Sequence, residues 1–256
     1  MASVTADTPL IPTRSAAARF GVPTALAVAL VLLLLLPALG LPPFFESFLY
    51  LLCLWISLAT SWTIISGFTG YFSFGHGAFY GVGMYTTANL GASLPILVCL
   101  VIAAALAALL SLGMGAVLFR VRRLRGDLFA LLTLGISRGV ATIVLNTPID
   151  GGPGKYLLGV QLPRIYDNSA TTIYLLGACV AIGTLAITYF IQYGRLGRGL
   201  FAIADDEDVA EGLGVPSYRY KLIAFAISSA IAGVAGAVHA IFVSYVTVSE
   251  TFSSTV

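Results

Sequence analysis

Long apolar runs separated by short polar segments dominate the pattern of hydrophobic and polar positions along the chain. A helix that crosses a bilayer needs about 20 mostly apolar residues. By that measure we predict about seven transmembrane helices, over residues 24–41, 44–66, 70–91, 94–119, 127–146, 171–193 and 221–246. The third run is rich in Gly, Ser, Thr and His, so a partly re-entrant segment is the alternative there. The pattern therefore predicts an all-α fold, a polytopic transmembrane helix bundle.

Composition strengthens this prediction, because 59% of the 256 residues are hydrophobic and only 9% are charged. An ordinary soluble domain has about 25% charged residues. A chain this apolar cannot cover itself with a polar surface, so the bilayer must be its solvent. Arg14 and Arg19 precede the first run, as in a signal peptide, but the apolar core is too long and no clean cleavage site follows. We therefore expect a retained helix.

The positions of the basic residues predict the orientation, whereas the net charge of +2 gives no indication of nucleic-acid binding. With a cytoplasmic N-terminus, ten of the 13 Lys and Arg residues fall on the inner side, two on the outer side, and Arg138 within a span. Cytoplasmic segments carry an excess of Lys and Arg. We therefore predict a cytoplasmic tail over 1–23 and a transmembrane domain over 24–256, with a cytoplasmic loop over 194–220.

Ionisable side chains inside the predicted spans are the next candidates for function. A charge near the middle of a span, as at Arg138, costs about 2.5–3.5 kcal/mol on insertion scales. Arg138 is either a counter-ion for a carboxylate that passes through the membrane, or it pairs with backbone carbonyls or snorkels to an interface. His76 and His239 have no second ligand at metal spacing, and the three cysteines fall in apolar runs. No phosphate-binding loop or zinc motif is present, so we predict no metal, no cofactor and no catalytic residues.

The loop near the C-terminal end holds five of the chain's 11 acidic residues. Asp205 or Asp206 can cap a helix, and Gly214 followed by Pro216 suits its end, so a short helix over about 205–213 is predicted. Its apolar arc consists of Val209, Ala210 and Leu213. The opposite arc is acidic and consists of Glu207, Asp208 and Glu211. So short a helix needs docking. It packs either on its own bundle or, as a coupling helix, on another protein.

Three blocks of the chain resemble the branched-chain amino acid ABC transporter permease family of the LivM type. They begin "SGFTGYFSFGHGAF" at Ser66, "RLRGDLFALLTLGISRG" at Arg123 and "GRLGRGLFAIADDEDVAEGLGV" at Gly194, and they span most of residues 66–240. Within the third block, Asp208-Val209-Ala210 followed by Gly214 is similar to the "EAA---G" signature of ABC importer permeases. In that superfamily the signature loop carries a helix that sits in a cleft of the ATPase subunit.

The resemblance implies a permease subunit of an ATP-driven importer, itself not an enzyme, in the bacterial inner membrane. It would work with a second permease subunit, two ATP-binding cassette ATPase subunits and an external solute-binding protein. Its cargo would be branched-chain or other hydrophobic amino acids, or else urea, short amides or aromatic acids, moved by alternating access. The residues expected to couple to the ATPase are Arg195, Arg198, Glu207, Asp208, Val209, Ala210, Glu211, Leu213 and Gly214. The candidate pathway residues are Ser73, His76 and Arg138.

Two departures from the family pattern and two other classes of function complete the prediction. The family commonly has an acidic residue near the place of Arg138, and it continues through at least one more helix, so the chain is expected to be a fragment or a shortened member. A secondary transporter or channel acting alone would need paired charges within the membrane, and Arg138 has no evident partner in the spans. A membrane scaffold without transport activity is the third class.

Overall fold

A computed structural model describes residues 16–39, 42–121, 127–150, 152, 154–157, 159–160, 162 and 169–252 of the chain. Its α-helices are α1 Ala16–Leu35, α2 Pro43–Trp62, α3 His76–Leu90, α4 Ile96–Leu118, α5 Asp127–Leu145, α6 Ser169–Tyr193, α7 Arg195–Asp205, α8 Glu207–Gly212, α9 Ser217–Val243 and α10 Val248–Thr251. A 3₁₀ turn, Leu36–Leu39, follows α1, and a π turn, Thr63–Gly67, follows α2. Strands β1 Lys155–Tyr156 and β2 Tyr245–Val246 pair antiparallel. The predicted all-α class is confirmed.

Five helices of the described ranges are long and apolar enough to cross a membrane: α2 with its π turn, α4, α5, α6 and α9. The first predicted span falls on α1, whose apolar part, Pro23–Leu35, is shorter. The third falls on α3, which has only 15 residues and follows a segment without regular secondary structure over 71–75. The count of seven and the orientation therefore stay predictions. Helix α1 begins inside the predicted tail, of which residues 1–15 lie outside the described part.

Helix α9 forms the centre of the bundle. Of its apolar window 61% is buried, against 28–39% for the other four long helices, and it packs against α3 and α4. Small residues allow this close packing. A Cβ atom on Gly83 of α3 would overlap the carbonyl group of Gly233, and one on Gly236 would overlap the carbonyl oxygen of Tyr80. The Gly-rich character of the third run therefore places α3 directly against α9.

The end of the bundle away from α8 is closed by the segment that follows α9. Ser244 takes a left-handed conformation with φ of 61°, which turns the chain into β2 and then α10. The Phe252 ring packs where a side chain on Gly81 of α3 would otherwise lie. Nearby, the Tyr85 hydroxyl donates to buried Asp150 at 2.5 Å. These contacts join α3 to the segments before β1 and after α9.

Candidate functional site

A sharp corner between α7 and α8 brings the acidic loop to the surface of the bundle. Asp206 is extended, with φ −157° and ψ 110°, and its carboxylate accepts hydrogen bonds from the backbone N–H groups of Asp208 and Val209 at 2.9 and 3.1 Å. This is the side-chain cap that a helix start requires. Gly214 ends the turn with φ of 88°, in the left-handed region. The predicted short helix is therefore confirmed, over Glu207–Gly212, with Asp206 as its cap.

The apolar arc of α8 divides between the bundle and the outside. Ala210 is only 2% exposed and packs into the core of the bundle beside α7 and α9. Val209 and Leu213, in contrast, are 58% and 81% exposed. A six-residue helix is held in place by packing rather than by its own hydrogen bonds. Both predicted packing modes are therefore present in part, because one side of α8 packs on the bundle and two large apolar side chains remain uncovered.

The other residues of the predicted set differ in exposure. Arg195 and Arg198 of α7 are exposed, as are Asp208 and Gly214, while Glu211 is half-buried. A shallow groove of about 390 Å³ has Glu211 and Gly214 in its wall. We call the exposed set of Arg195, Arg198, Asp208, Val209 and Leu213 the coupling surface.

Glu207 lies differently from the other acidic residues, because its carboxylate points into the bundle. One oxygen pairs with Lys221 Nζ of α9 at 2.5 Å, and the other accepts a hydrogen bond from the Tyr71 hydroxyl at 2.6 Å. The Lys221 side chain is 3% exposed and the Glu207 side chain 11%. Sequence reasoning missed Lys221 and Tyr71. No local sequence pattern connects Lys221 with Glu207, 14 positions away, or with Tyr71, 150 positions away.

A cavity of about 500 Å³ lies between α2, the start of α3, α5 and α10. Aromatic rings form much of its wall, and its polar lining residues are Ser73, His76, Ser137 and Thr251. Two of the candidate pathway residues, Ser73 and His76, therefore line one cavity. Arg138 does not, because its side chain is exposed on another side of α5.

The hydrogen bonds around His76 determine which ring nitrogen can accept. The Ser228 hydroxyl donates its proton to the Ser61 carbonyl oxygen at 2.6 Å, so it can only accept from His76 Nε2 at 3.0 Å. His76 Nδ1 is then the acceptor of a neutral ring. It is buried and has no hydrogen-bond partner among the described residues, and neither has the Thr251 hydroxyl. Because both atoms are buried, His76 and Thr251 line the cavity with other atoms of their side chains, and these two polar atoms lie beneath its surface.

A second cavity, of about 250 Å³, adjoins the first, since Trp55, Leu58, Tyr80 and Thr251 line both. It adds His239 and Glu250 and extends towards β2, at the end of α9 opposite to α8. Concave, mainly apolar spaces with a few polar groups suit small amphipathic ligands. Within the described ranges, no three His, Cys, Asp or Glu side chains are grouped to hold a metal ion.

Comparison with known proteins adds to this geometry. The sequence profile of the family described as "Branched-chain amino acid transport system / permease component" matches residues 44–256. The high-affinity branched-chain amino acid transport system permease protein LivM of Escherichia coli K12 is 33% identical over 215 residues, which cover 73% of this chain and 50% of the relative. Its LivH counterpart is 29% identical over 203 residues, 70% of this chain and 64% of the relative.

A more distant similarity links the chain to a putative glucose ABC transporter permease protein, TsgC13, of Haloferax volcanii. It is 28% identical over 122 residues, 44% of this chain and 35% of the relative. No solved structure matches the chain. The chain spans about half the length of the LivM relatives. On the profile match and the identity to LivM, this multi-pass membrane protein belongs to the permease component family of branched-chain amino acid transport systems.

Proposed function

We propose that the chain is the membrane-spanning permease subunit of an ATP-driven ABC importer of the bacterial inner membrane. Its partners would be a second permease subunit, two ATP-binding cassette ATPase subunits and an external solute-binding protein. Relatives that are named as permease components of branched-chain amino acid transport support this proposal. The single observation that carries it is the exposure of Val209 and Leu213 on a helix that is otherwise capped and packed.

The coupling surface is the proposed docking face for the ATPase. Burying a Val or Leu side chain is worth about 1.5–3 kcal/mol, so Val209 and Leu213 together supply a compact apolar anchor. The exposed charges of Arg195, Arg198 and Asp208 on α7 and α8 are the proposed polar contacts, which favour encounter and orientation more than affinity. Ala210 fixes α8 on the bundle and keeps the anchor in place. Movement of the ATPase would then move α8 and, through it, the transmembrane helices.

The first cavity is the proposed site for the solute within this chain. Its aromatic wall suits an apolar side chain, whereas polar lining residues such as Ser73, His76 and Ser137 suit a polar group. Hydrophobic amino acids, chiefly branched-chain ones, fit this combination best. Urea, short amides and aromatic acids are the alternatives, and one relative is named as a putative glucose permease.

Arg138 takes a different place in the proposal. It lies on α5 outside the lining of the first cavity, and its neighbours Gly135 and Gly139 have open space where a Cβ would be. A counter-ion role towards a solute carboxylate therefore requires that another chain enclose this side of α5. The second permease subunit is the proposed occupant.

The docking proposal can be tested by co-purification. The double variant Val209→Asp with Leu213→Asp places two carboxylates in the apolar anchor, and we expect retention of the ATPase to fall about tenfold or more. The matched control is Val209→Leu with Leu213→Met, which keeps both side chains apolar and should retain the ATPase. Full co-purification of the Asp variant, with normal folding in detergent, would remove the coupling surface from the proposal.

A further inference from the structure

Three elements meet at one buried cluster between the coupling surface and the cavity. Glu207 comes from α8, Lys221 from the first turns of α9, and Tyr71 from the segment that leads into α3. Lys221 Nζ lies 2.5 Å from Glu207 Oε1 and 3.2 Å from the Tyr71 hydroxyl oxygen, and 4.6 Å from the centre of the Tyr71 ring. The Tyr71 hydroxyl also donates to Glu207 Oε2 at 2.6 Å. Each residue is therefore bonded to the other two.

The segment that begins at Tyr71 runs directly into the cavity wall. Ser73 and Phe74 line the cavity, and Tyr71 is only two positions before Ser73. The Ser73 carbonyl oxygen accepts a hydrogen bond from Trp62 Nε1 at 2.8 Å, and the Phe74 N–H donates to Thr133 Oγ1 of α5 at 3.1 Å. This segment is thus fixed at Tyr71 towards the coupling surface and at Ser73 and Phe74 towards the cavity.

Such an arrangement transmits displacement rather than absorbing it. Leaving a buried charge without its partner is strongly unfavourable. Glu207, Lys221 and Tyr71 must therefore move together when α8 moves. Ser73 lies only two positions after Tyr71, so the backbone between them spans at most about 7 Å and cannot absorb a large displacement. A shift at Tyr71 must therefore appear as a shift of the Ser73 carbonyl group and of the Trp62 indole bonded to it.

We propose that Tyr71, Glu207 and Lys221 are positioning residues that link α8 to the cavity wall, so that the position of the coupling helix sets the shape of the cavity. The physical link rests on the contacts within this chain alone. Its consequence for transport rests on the proposed function, because it requires an ATPase that moves α8. The cluster then converts docking at the coupling surface into opening or closing at Ser73 and Trp62.

The link is testable in the isolated chain, because both tryptophans, Trp55 and Trp62, line the cavity. In a Trp55→Phe background the acrylamide quenching of fluorescence reports on Trp62 alone. We expect Tyr71→Phe, and the neutral pair Glu207→Gln with Lys221→Met, to raise the quenching constant about twofold or more. The neutral pair leaves no unpaired buried charge, so the protein should still fold.

Two controls separate a link from a general loss of packing. Asp205→Asn removes an exposed carboxylate next to the same corner, and Leu200→Ala weakens the same core beside α7. We expect neither to change Trp62 quenching, although Leu200→Ala should lower the unfolding temperature. If Tyr71→Phe and the neutral pair leave quenching unchanged while folded, or if Leu200→Ala changes it equally, the link is wrong.

A second measurement distinguishes failure of the link from failure of the proposed function. In proteoliposomes with the second permease subunit, the ATPase subunits and the solute-binding protein, uptake of labelled leucine per ATP hydrolysed should fall about tenfold in Tyr71→Phe while ATP hydrolysis changes little. A normal ratio would contradict the link. The third outcome combines two results: acrylamide quenching of Trp62 rises in the isolated variants, but the unsubstituted protein shows no ATP-driven uptake of any solute in a panel. That outcome would support the link and reject the proposed function.

Discussion

Replacing Gly83 by Ala tests the packing on which the whole bundle depends. The new methyl group would lie inside the carbonyl group of Gly233, far closer than the roughly 3.5–4.0 Å of an ordinary carbon contact. Backbone atoms of α9 cannot rotate away as a flexible side chain would. Helices α3 and α9 must therefore separate locally, and the neighbouring contact of Gly236 with the Tyr80 carbonyl loosens with them.

The size of the effect follows from two opposed terms. Overpacking of a well-packed core costs typically about 1–3 kcal/mol, whereas Ala in place of Gly in a helix gains up to about 1 kcal/mol. Because the clash at Gly83 is with backbone, we expect the cost to dominate and the variant to lose about 1–2 kcal/mol. At about 2–4 °C per kcal/mol for large single domains, the unfolding midpoint should fall by roughly 2–8 °C.

The assay is thermal unfolding in detergent, with Gly135→Ala of α5 as the matched control. Gly135 is also inside a helix, but a Cβ atom there has open space around it. We expect the control to keep or raise the midpoint. Equal midpoints for the two variants would refute the close approach of α3 and α9, and with it the position of the His76-bearing helix beside the cavity.

Three further predictions concern ionisable residues. Glu207→Gln or Lys221→Met alone should cost about 3–5 kcal/mol, and the double variant much less, so additive losses in a double-mutant cycle would contradict the buried pair. His76→Gln keeps a donor for the bond to Ser228 but removes the imidazole ring from the lining of the first cavity, so the KM for uptake should rise roughly 2- to 10-fold at unchanged unfolding midpoint. Arg138→Gln should reduce uptake of a carboxylate-bearing solute, and unchanged uptake in a normally folded variant would end the counter-ion hypothesis.

Local sequence patterns predicted most of the helices and the cap of α8. Apolar runs of about bilayer length give long helices whatever their neighbours are. The acids before α8 predict its start because a side-chain cap is a contact within three residues. For the same reason, Gly214 followed by Pro216 predicts where this helix ends.

Contacts between distant segments could not be predicted in this way. The third run appeared to be one weak span, but residues 71–75 lack regular secondary structure and α3 begins only at His76, because polar groups of Ser66 and Thr133 bond that backbone instead. Glu207 was placed with the partner-facing acids, although its ion partner lies in α9. The antiparallel pair of β1 and β2 joins segments about 90 positions apart. Each of these depends on tertiary packing that a single-chain pattern does not encode.

The most direct test of the proposed function is solute uptake in proteoliposomes that contain this chain, its second permease subunit and the ATPase subunits, with ATP enclosed and the solute-binding protein outside. For an ATP-driven importer we expect uptake of a labelled hydrophobic amino acid such as leucine, or of another solute of the panel. This uptake should require ATP hydrolysis and persist when a protonophore collapses the proton gradient. Uptake that the protonophore abolishes while ATP remains high, or that proceeds without ATPase subunits, would contradict the proposed function and favour a secondary transporter.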